Sequence, residues 1–148
     1  MSEHTPNHLQ LELHVPDFEP VLDFYGKLGF KDVWKRHEGD VGDYLVMERD
    51  GVILNFWPGN KEVWEQPYFK DFSKDTKRGY GVEIVIPIEN IDSFYEEVKT
   101  FAKVVEALKI KPWGLKDFRV EDPFGFYLRF TEPHNILDPK YAVPTEKP

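Results

Sequence analysis

Cysteine is absent from the 148 residues. Its absence excludes disulfide bridges, thiolate metal sites and a cysteine nucleophile, and it suits a reducing compartment. No apolar run approaches the roughly 20 residues a membrane-spanning helix needs. The opening stretch MSEHTPNH has no apolar signal core. We therefore expect a cytoplasmic protein with no membrane partner. Basic residues are in deficit, 19 Lys plus Arg against 27 Asp plus Glu, for a formal charge of -8. A nucleic-acid binder needs a basic face, so no nucleic-acid partner is expected. The acidity is compatible with a cationic ligand, although solubility alone also explains it. There is no GxSxG elbow, no HExxH and no phosphate-binding loop. His4, His8, His37 and His134 form no recognisable catalytic pattern.

What the chain does have is apolar content, 41% with 16% aromatic, which is enough to bury a core. It also has an internal repeat. HVPDFEPVLDFYGKLGF in the first half answers to IVIPIENIDSFYEEVKTF in the second. Each runs from a strand, past a proline, into a helix carrying Phe-Tyr: Phe24-Tyr25 and Phe94-Tyr95. GVILNFWP from Gly51 answers to GFYLRFTEP from Gly125, each with a Phe five residues after the Gly, Phe56 and Phe130. The repeat places module one at about 8–57 and module two at about 80–132, with a linker at 58–79 and a tail at 133–148.

Each half reads as strand, helix, then three strands. HLQLELHVPD alternates, with Leu9, Leu11, Leu13 and Val15 on one side and Gln10, Glu12 and His14 on the other, so the pattern predicts a strand with one polar face. Asp17 is the expected cap of the first helix, with Pro20 in its first turn, and Asn90 the expected cap of the second. Ile91, Phe94, Tyr95 and Val98 follow helical spacing. RDGV at Arg49–Val52 and DPFG at Asp122–Gly125 read as turns between antiparallel strands. The linker holds Trp64, Tyr68, Phe69 and Phe72, too many aromatics for an idle tether.

VPDFEPVLDFYGKLGF and PWGLKDFRVEDPFGFYLRF together resemble the vicinal oxygen chelate superfamily, which includes glyoxalase I, extradiol dioxygenases, fosfomycin-resistance enzymes and bleomycin resistance proteins. The segment Pro112–Gly125 resembles the bleomycin-resistance branch most. The resemblance covers roughly 8–132. It implies an α+β fold in a single domain, two βαβββ modules forming curled mixed sheets around an open cup, and a homodimer. The four metal-ligand positions it implies, counted from the motifs, fall on Gln10, Asn55, Gly81 and Arg129. Glycine offers no donor, and arginine is a permanent cation. Metals want several anionic or imidazole donors, so neither metal nor cofactor is expected. A register two residues away would bring in His14 or Glu83 instead.

Two functions from different classes follow from the resemblance. The first is a non-enzymatic binding protein that sequesters a bleomycin-type glycopeptide antibiotic or similar small molecule, flat at one end and cationic at the other. In that reading Trp113 stacks on the ligand, Trp34 and Trp57 line the cup, and Gln10, Asn55, Glu12, Glu83 and Arg129 supply its polar lining. The alternative is a metal-dependent glyoxalase-like lyase, isomerase or thiol transferase. A domain with an unrelated housekeeping ligand also stays open at this point. For Glu12, Glu83 and Arg129, an ion pair between strands competes with ligand binding.

Overall fold

A computed structural model describes residues 9–38, 42–59, 67–73 and 75–142. The chain separates into two compact units, 1–76 and 77–148. In the first unit the order is β1 (Glu12–His14), α1 (Glu19–Lys27), β2 (Lys31–Glu38), β3 (Gly42–Arg49) and β4 (Val52–Trp57). The second repeats it as β5 (Glu83–Pro87), α2 (Ile91–Val98), β6 (Lys103–Ile110), β7 (Lys116–Glu121) and β8 (Tyr127–Thr131), followed by a short 3-10 turn at Pro139–Tyr141. Each unit is thus a βαβββ module of α+β class. Its sheet is mixed and four-stranded, in the order β1-β4-β3-β2 or β5-β8-β7-β6. The first strand lies parallel to the last, and the remaining pairs are antiparallel.

The repeat landmarks recur because they touch. Alternation along β4 turns Leu54 and Phe56 into the core, and along β8 it turns Leu128 and Phe130 inward. The Phe-Tyr of each helix meets them there. Tyr25 lies 5.1 Å from Phe56, and Phe94 lies 5.1 Å from Phe130, ring centre to ring centre. Burying each such ring contributes roughly 1.5–3 kcal/mol.

Local chemistry departs from the sequence reading in several places. The first strand is short, because β4 offers it partners only from Asn55 to Trp57. Leu13 and Val15 are buried as expected, but Leu9 is 83% exposed. Asp17 is not the cap residue of α1, a position taken by Phe18. Its carboxylate instead accepts from the Glu19 amide at 3.0 Å, just ahead of Pro20. Asn90 does hold the cap position of α2, but in a left-handed conformation, φ 55°, with no side-chain cap. Of the linker aromatics, Phe69 packs on His14 at 5.6 Å, and Tyr68 contacts both Phe69 and Phe72. Trp64, His4 and His8 lie outside the described residues.

Both turns form. Asp50 and Gly51 each have positive φ, 46° and 84°, as a tight hairpin requires. In DPFG one carboxylate oxygen of Asp122 accepts from the amides of Phe124 and Phe126, both at 2.8 Å. Gly125 has φ 101°, and a Cβ there would stand 3.1 Å from the Arg78 amide nitrogen, a backbone atom with little room to yield. Gly51 has nothing within 4 Å of such a Cβ. Gly51→Ala should therefore cost only conformational strain, about 1–2 kcal/mol. Gly125→Ala should cost more, about 2–4 kcal/mol. Urea unfolding of the two variants checks the order, and equal losses would contradict it.

Candidate functional site

One row of residues crosses each sheet on the face opposite the helix. In the first unit it runs Trp34, Val46, Asn55, Glu12, each the cross-strand partner of the next. In the second it runs Glu106, Arg119, Arg129, Val85. The rows are equivalent, yet their chemistry differs.

Trp34, Val46 and Asn55 of the first row line a cleft of about 480 Å³. A β-bulge shapes one wall. Asp32 pairs with Met47 and Trp34 with Val46, which leaves Val33 as the extra residue. Val33 and Trp34 both line the cleft in consequence, beside Val46 and Ile53. Trp34 stacks on Tyr44, with ring centres 5.6 Å apart and planes within 20°. The indole remains 48% exposed, so stacking on Tyr44 leaves much of it open. Arg36 sits 5.6 Å from the Tyr44 ring centre, a cation–π contact. The Tyr44 hydroxyl donates to Glu12 Oε1 at 2.6 Å and also hydrogen-bonds the buried Asn55 side chain. Burial, then the hydrogen bond and negative charge of Glu12, push the phenol up to about 12. Gln10, Glu48 and Asn55 complete the polar lining, and among the described lining residues none is basic.

The second row is an ionic network. Glu83 pairs with both Arg119 and Arg129, the latter at 3.8 Å. Arg119 also meets Glu106 at 3.0 Å and the fully buried Asp117 at 3.4 Å. Lys111 joins Glu106 and lies 3.7 Å from Asp117. Among the described residues, two buried side-chain atoms have no hydrogen-bond partner, Asp117 Oδ2 and Arg129 Nε. Arg119 and Arg129 are directly opposite across β7 and β8, an unfavourable pairing that the bridging Glu83 offsets.

The sheet register revises one implied ligand position. The Val15 amide bonds the Trp57 carbonyl at 3.0 Å, and the Ile88 amide bonds the Thr131 carbonyl at 2.8 Å. Val15 therefore answers to Ile88, and the counterpart of Gln10 is Glu83. Gly81 lies instead in the turn before β5, where the Val82 amide bonds the Gly79 carbonyl. Counting from the motifs displaced the position by two. The corrected set still does not fit a metal. The first unit supplies only the amides of Gln10 and Asn55. In the second, Glu83 is neutralised by two guanidiniums, one of them occupying a ligand position itself. Among the described residues, no group of three His, Cys, Asp or Glu could hold an ion.

The remaining sequence candidates fall elsewhere. Trp57 is half-buried and meets His14 edge-on at 5.6 Å, while His14 Nε2 lies 3.2 Å from the Pro58 carbonyl oxygen. Neither Trp57 nor His14 lines the cleft. Trp113 is 41% exposed at the tip of the β6–β7 hairpin, in a turn closed by the Gly114 amide on the Lys111 carbonyl. It belongs to neither cleft nor core. Tyr44 was missed. Its signal was the alternation in DYLVMER, which puts Tyr44, Val46 and Glu48 on one face and the buried Leu45 and Met47 on the other.

The family model described as Glyoxalase/Bleomycin resistance protein/Dioxygenase superfamily matches residues 5–130. No curated protein matches the chain. Among solved structures, UcmS2 aligns with a TM-score of 0.70 at 18% identity, covering 88% of this chain and 100% of that one. TioX from Micromonospora sp. ML1 aligns at 0.60 and 20% identity, covering 88% of this chain and 99% of that one. A bleomycin-binding protein complexed with bleomycin aligns at 0.56 and 19% identity, covering 87% of this chain and 100% of that one. At such identities the likeness is one of fold.

Tyr44 yields a titration prediction. Followed by tyrosinate absorbance, one of the seven tyrosines should ionise near pH 12, well after a phenol at its ordinary value of 10.0. The late step should vanish in Tyr44→Phe and move down in Glu12→Gln, which removes the carboxylate charge. Because the folded phenol keeps its proton where the unfolded one loses it, this contribution to stability is intact below pH 10 and lost as pH rises toward about 12. A late step that survives in Tyr44→Phe would contradict the assignment.

Proposed function

We propose, for a chain that belongs to the glyoxalase/bleomycin resistance/dioxygenase superfamily, that it is a non-enzymatic binding protein. It sequesters a flat, cationic small molecule in the first unit's cleft, as a bleomycin-type glycopeptide or a ligand of similar chemistry would require. The observation that carries this reading is the Trp34–Tyr44 stack beside Glu12. An open indole face takes a planar or cationic group. Glu48 lines the same cleft and Glu12 is bonded to its Tyr44, and these two carboxylates favour a positive ligand. Sequestration needs a concave aromatic surface and no catalytic base. The unsuitable donor set weighs against the metal-dependent lyase, isomerase or thiol transferase, and no catalytic step is assigned. A cytoplasmic two-fold homodimer is part of the proposal. It is supported by the eight-residue edge strands β2 and β6, which need cover.

Binding of a bleomycin-type ligand should quench tryptophan fluorescence, and Trp34→Ala should weaken affinity by about 1–3 kcal/mol. Since Trp34 lies on the surface, the same variant should lose less than about 1 kcal/mol of stability. Lost stability without lost affinity, or no binding at high micromolar ligand, would sink the reading. Protein purified without chelator should carry no stoichiometric divalent ion by elemental analysis. One equivalent of zinc, nickel, manganese or iron would restore the enzyme alternative.

A further inference from the structure

The first unit has a second pocket, of about 510 Å³, where the start of α1 meets the edge of the sheet. The strand register shows which side of the sheet it uses. Lys35 pairs with Leu45 across β2 and β3, and Leu45 pairs with Phe56, so the three share one face. Leu45 and Phe56 are fully buried, so this is the face under the helix. Asp43, two residues before Leu45 on β3, lies on it too. The pocket shares no described lining residue with the Trp34–Tyr44 cleft.

Its apolar walls follow from local chemistry. Phe18 and Leu22 stand four residues apart at the start of α1, where the Leu22 amide bonds the Phe18 carbonyl at 2.8 Å. That spacing sets both side chains on one flank, and both are only half-buried. Pro16 and Pro58 come together through the β1–β4 pairing. The Val15 amide bonds the Trp57 carbonyl at 3.0 Å, and each proline is the next residue. Neither proline has an N–H, so this end of the pocket offers apolar surface and no amide donor.

Charge of both signs surrounds that surface. Lys35 is exposed and, among the described residues, has no carboxylate partner. Asp17 is also exposed. One of its oxygens accepts from the Glu19 amide at 3.0 Å, which leaves the other for an incoming donor. Arg36 and Asp43 line the pocket as well, but both are already engaged, Arg36 over the Tyr44 ring at 5.6 Å. The lining thus carries two cations, Lys35 and Arg36, against two anions, Asp17 and Asp43. A net anion would meet the two aspartates, and a net cation would meet the two bases. A zwitterion answers both signs, and a cavity of this size suits a small molecule.

We infer that this pocket binds a free α-amino acid with an apolar side chain. Its carboxylate takes Lys35, its ammonium takes the open oxygen of Asp17, and its side chain lies against Phe18, Leu22 and the two prolines. The inference uses none of the residues that carry the reading of the cleft.

Leucine is the probe. N-acetyl-leucine keeps the carboxylate without the ammonium, and leucinamide keeps the ammonium without the carboxylate. Calorimetric titration should show one leucine site per chain, with each analogue about five- to tenfold weaker, the range from an exposed ion pair to a charged hydrogen bond. Lys35→Gln should lower leucine to the level of leucinamide and leave leucinamide itself unchanged. Asp17→Asn, which keeps an acceptor for the Glu19 amide, should lower leucine to the level of N-acetyl-leucine and leave that analogue unchanged. Amide chemical shifts of the unmodified protein give a second readout: leucine should move the resonances of Phe18, Leu22 and Lys35. Equal affinity for the three probes would overturn the inference. So would an absence of leucine binding at tens of millimolar, or shifts confined to Trp34, Tyr44 and Asn55, which would put the amino acid in the cleft instead.

Discussion

Everything placed on these sheets depends on the parallel pairing of each unit's first strand with its last. The contact is brief: three aligned residues between β1 and β4, five between β5 and β8. It nevertheless decides which side chains meet the helix and which meet the cleft. Strand side chains alternate, so a slip of one residue would exchange Phe56 for Asn55 in the core, or Phe130 for Arg129. Tyr25 against Phe56 and Phe94 against Phe130 hold the register from the helix side. The cleft face is therefore a consequence of core packing.

On that common frame the two units diverge. Trp34 stands where the second unit has Glu106, and Asn55 where it has Arg129. Gln10 likewise answers to Glu83. One row yields an aromatic, acidic surface whose central phenol is held neutral by burial and by Glu12. The other yields a network of guanidiniums and carboxylates crowded on buried Asp117. Neither row offers the anionic and imidazole donors a divalent ion wants. Ligand recognition by stacking and charge is the chemistry these residues support.

The fold was legible because its signals are local and repeated. Phe-Tyr on a helix, a glycine turn and a Phe five residues later recur in both halves, and each reflects a core contact. Gln10 and Asn55 were legible as cleft residues from the strand patterns around β1 and β4, and Trp34, on β2, from its place shortly after LGF. What stayed hidden depended on strand partners. No local pattern marks Val33 or Val105 as bulge residues, because a bulge is defined by the neighbouring strand. The equivalence of Gln10 with Glu83 depends on hydrogen bonds to Trp57 and Thr131, whereas counting from the motifs pointed to Gly81. Trp113 lies in the most family-specific motif, yet it stands at a hairpin tip, since PWG is a turn sequence with Gly114 at positive φ. The first cap misled because Asp17 bonds two residues ahead without occupying the cap position.

The central claim is that the first unit binds a flat cation without a metal. Amide chemical-shift mapping in the presence of a chelator tests it most directly, with a bleomycin-type glycopeptide as titrant. The account predicts saturable shifts centred on Val33, Trp34, Tyr44 and Asn55 under metal-free conditions. Binding that requires an added divalent ion, or saturable shifts that spare these four residues, would contradict it.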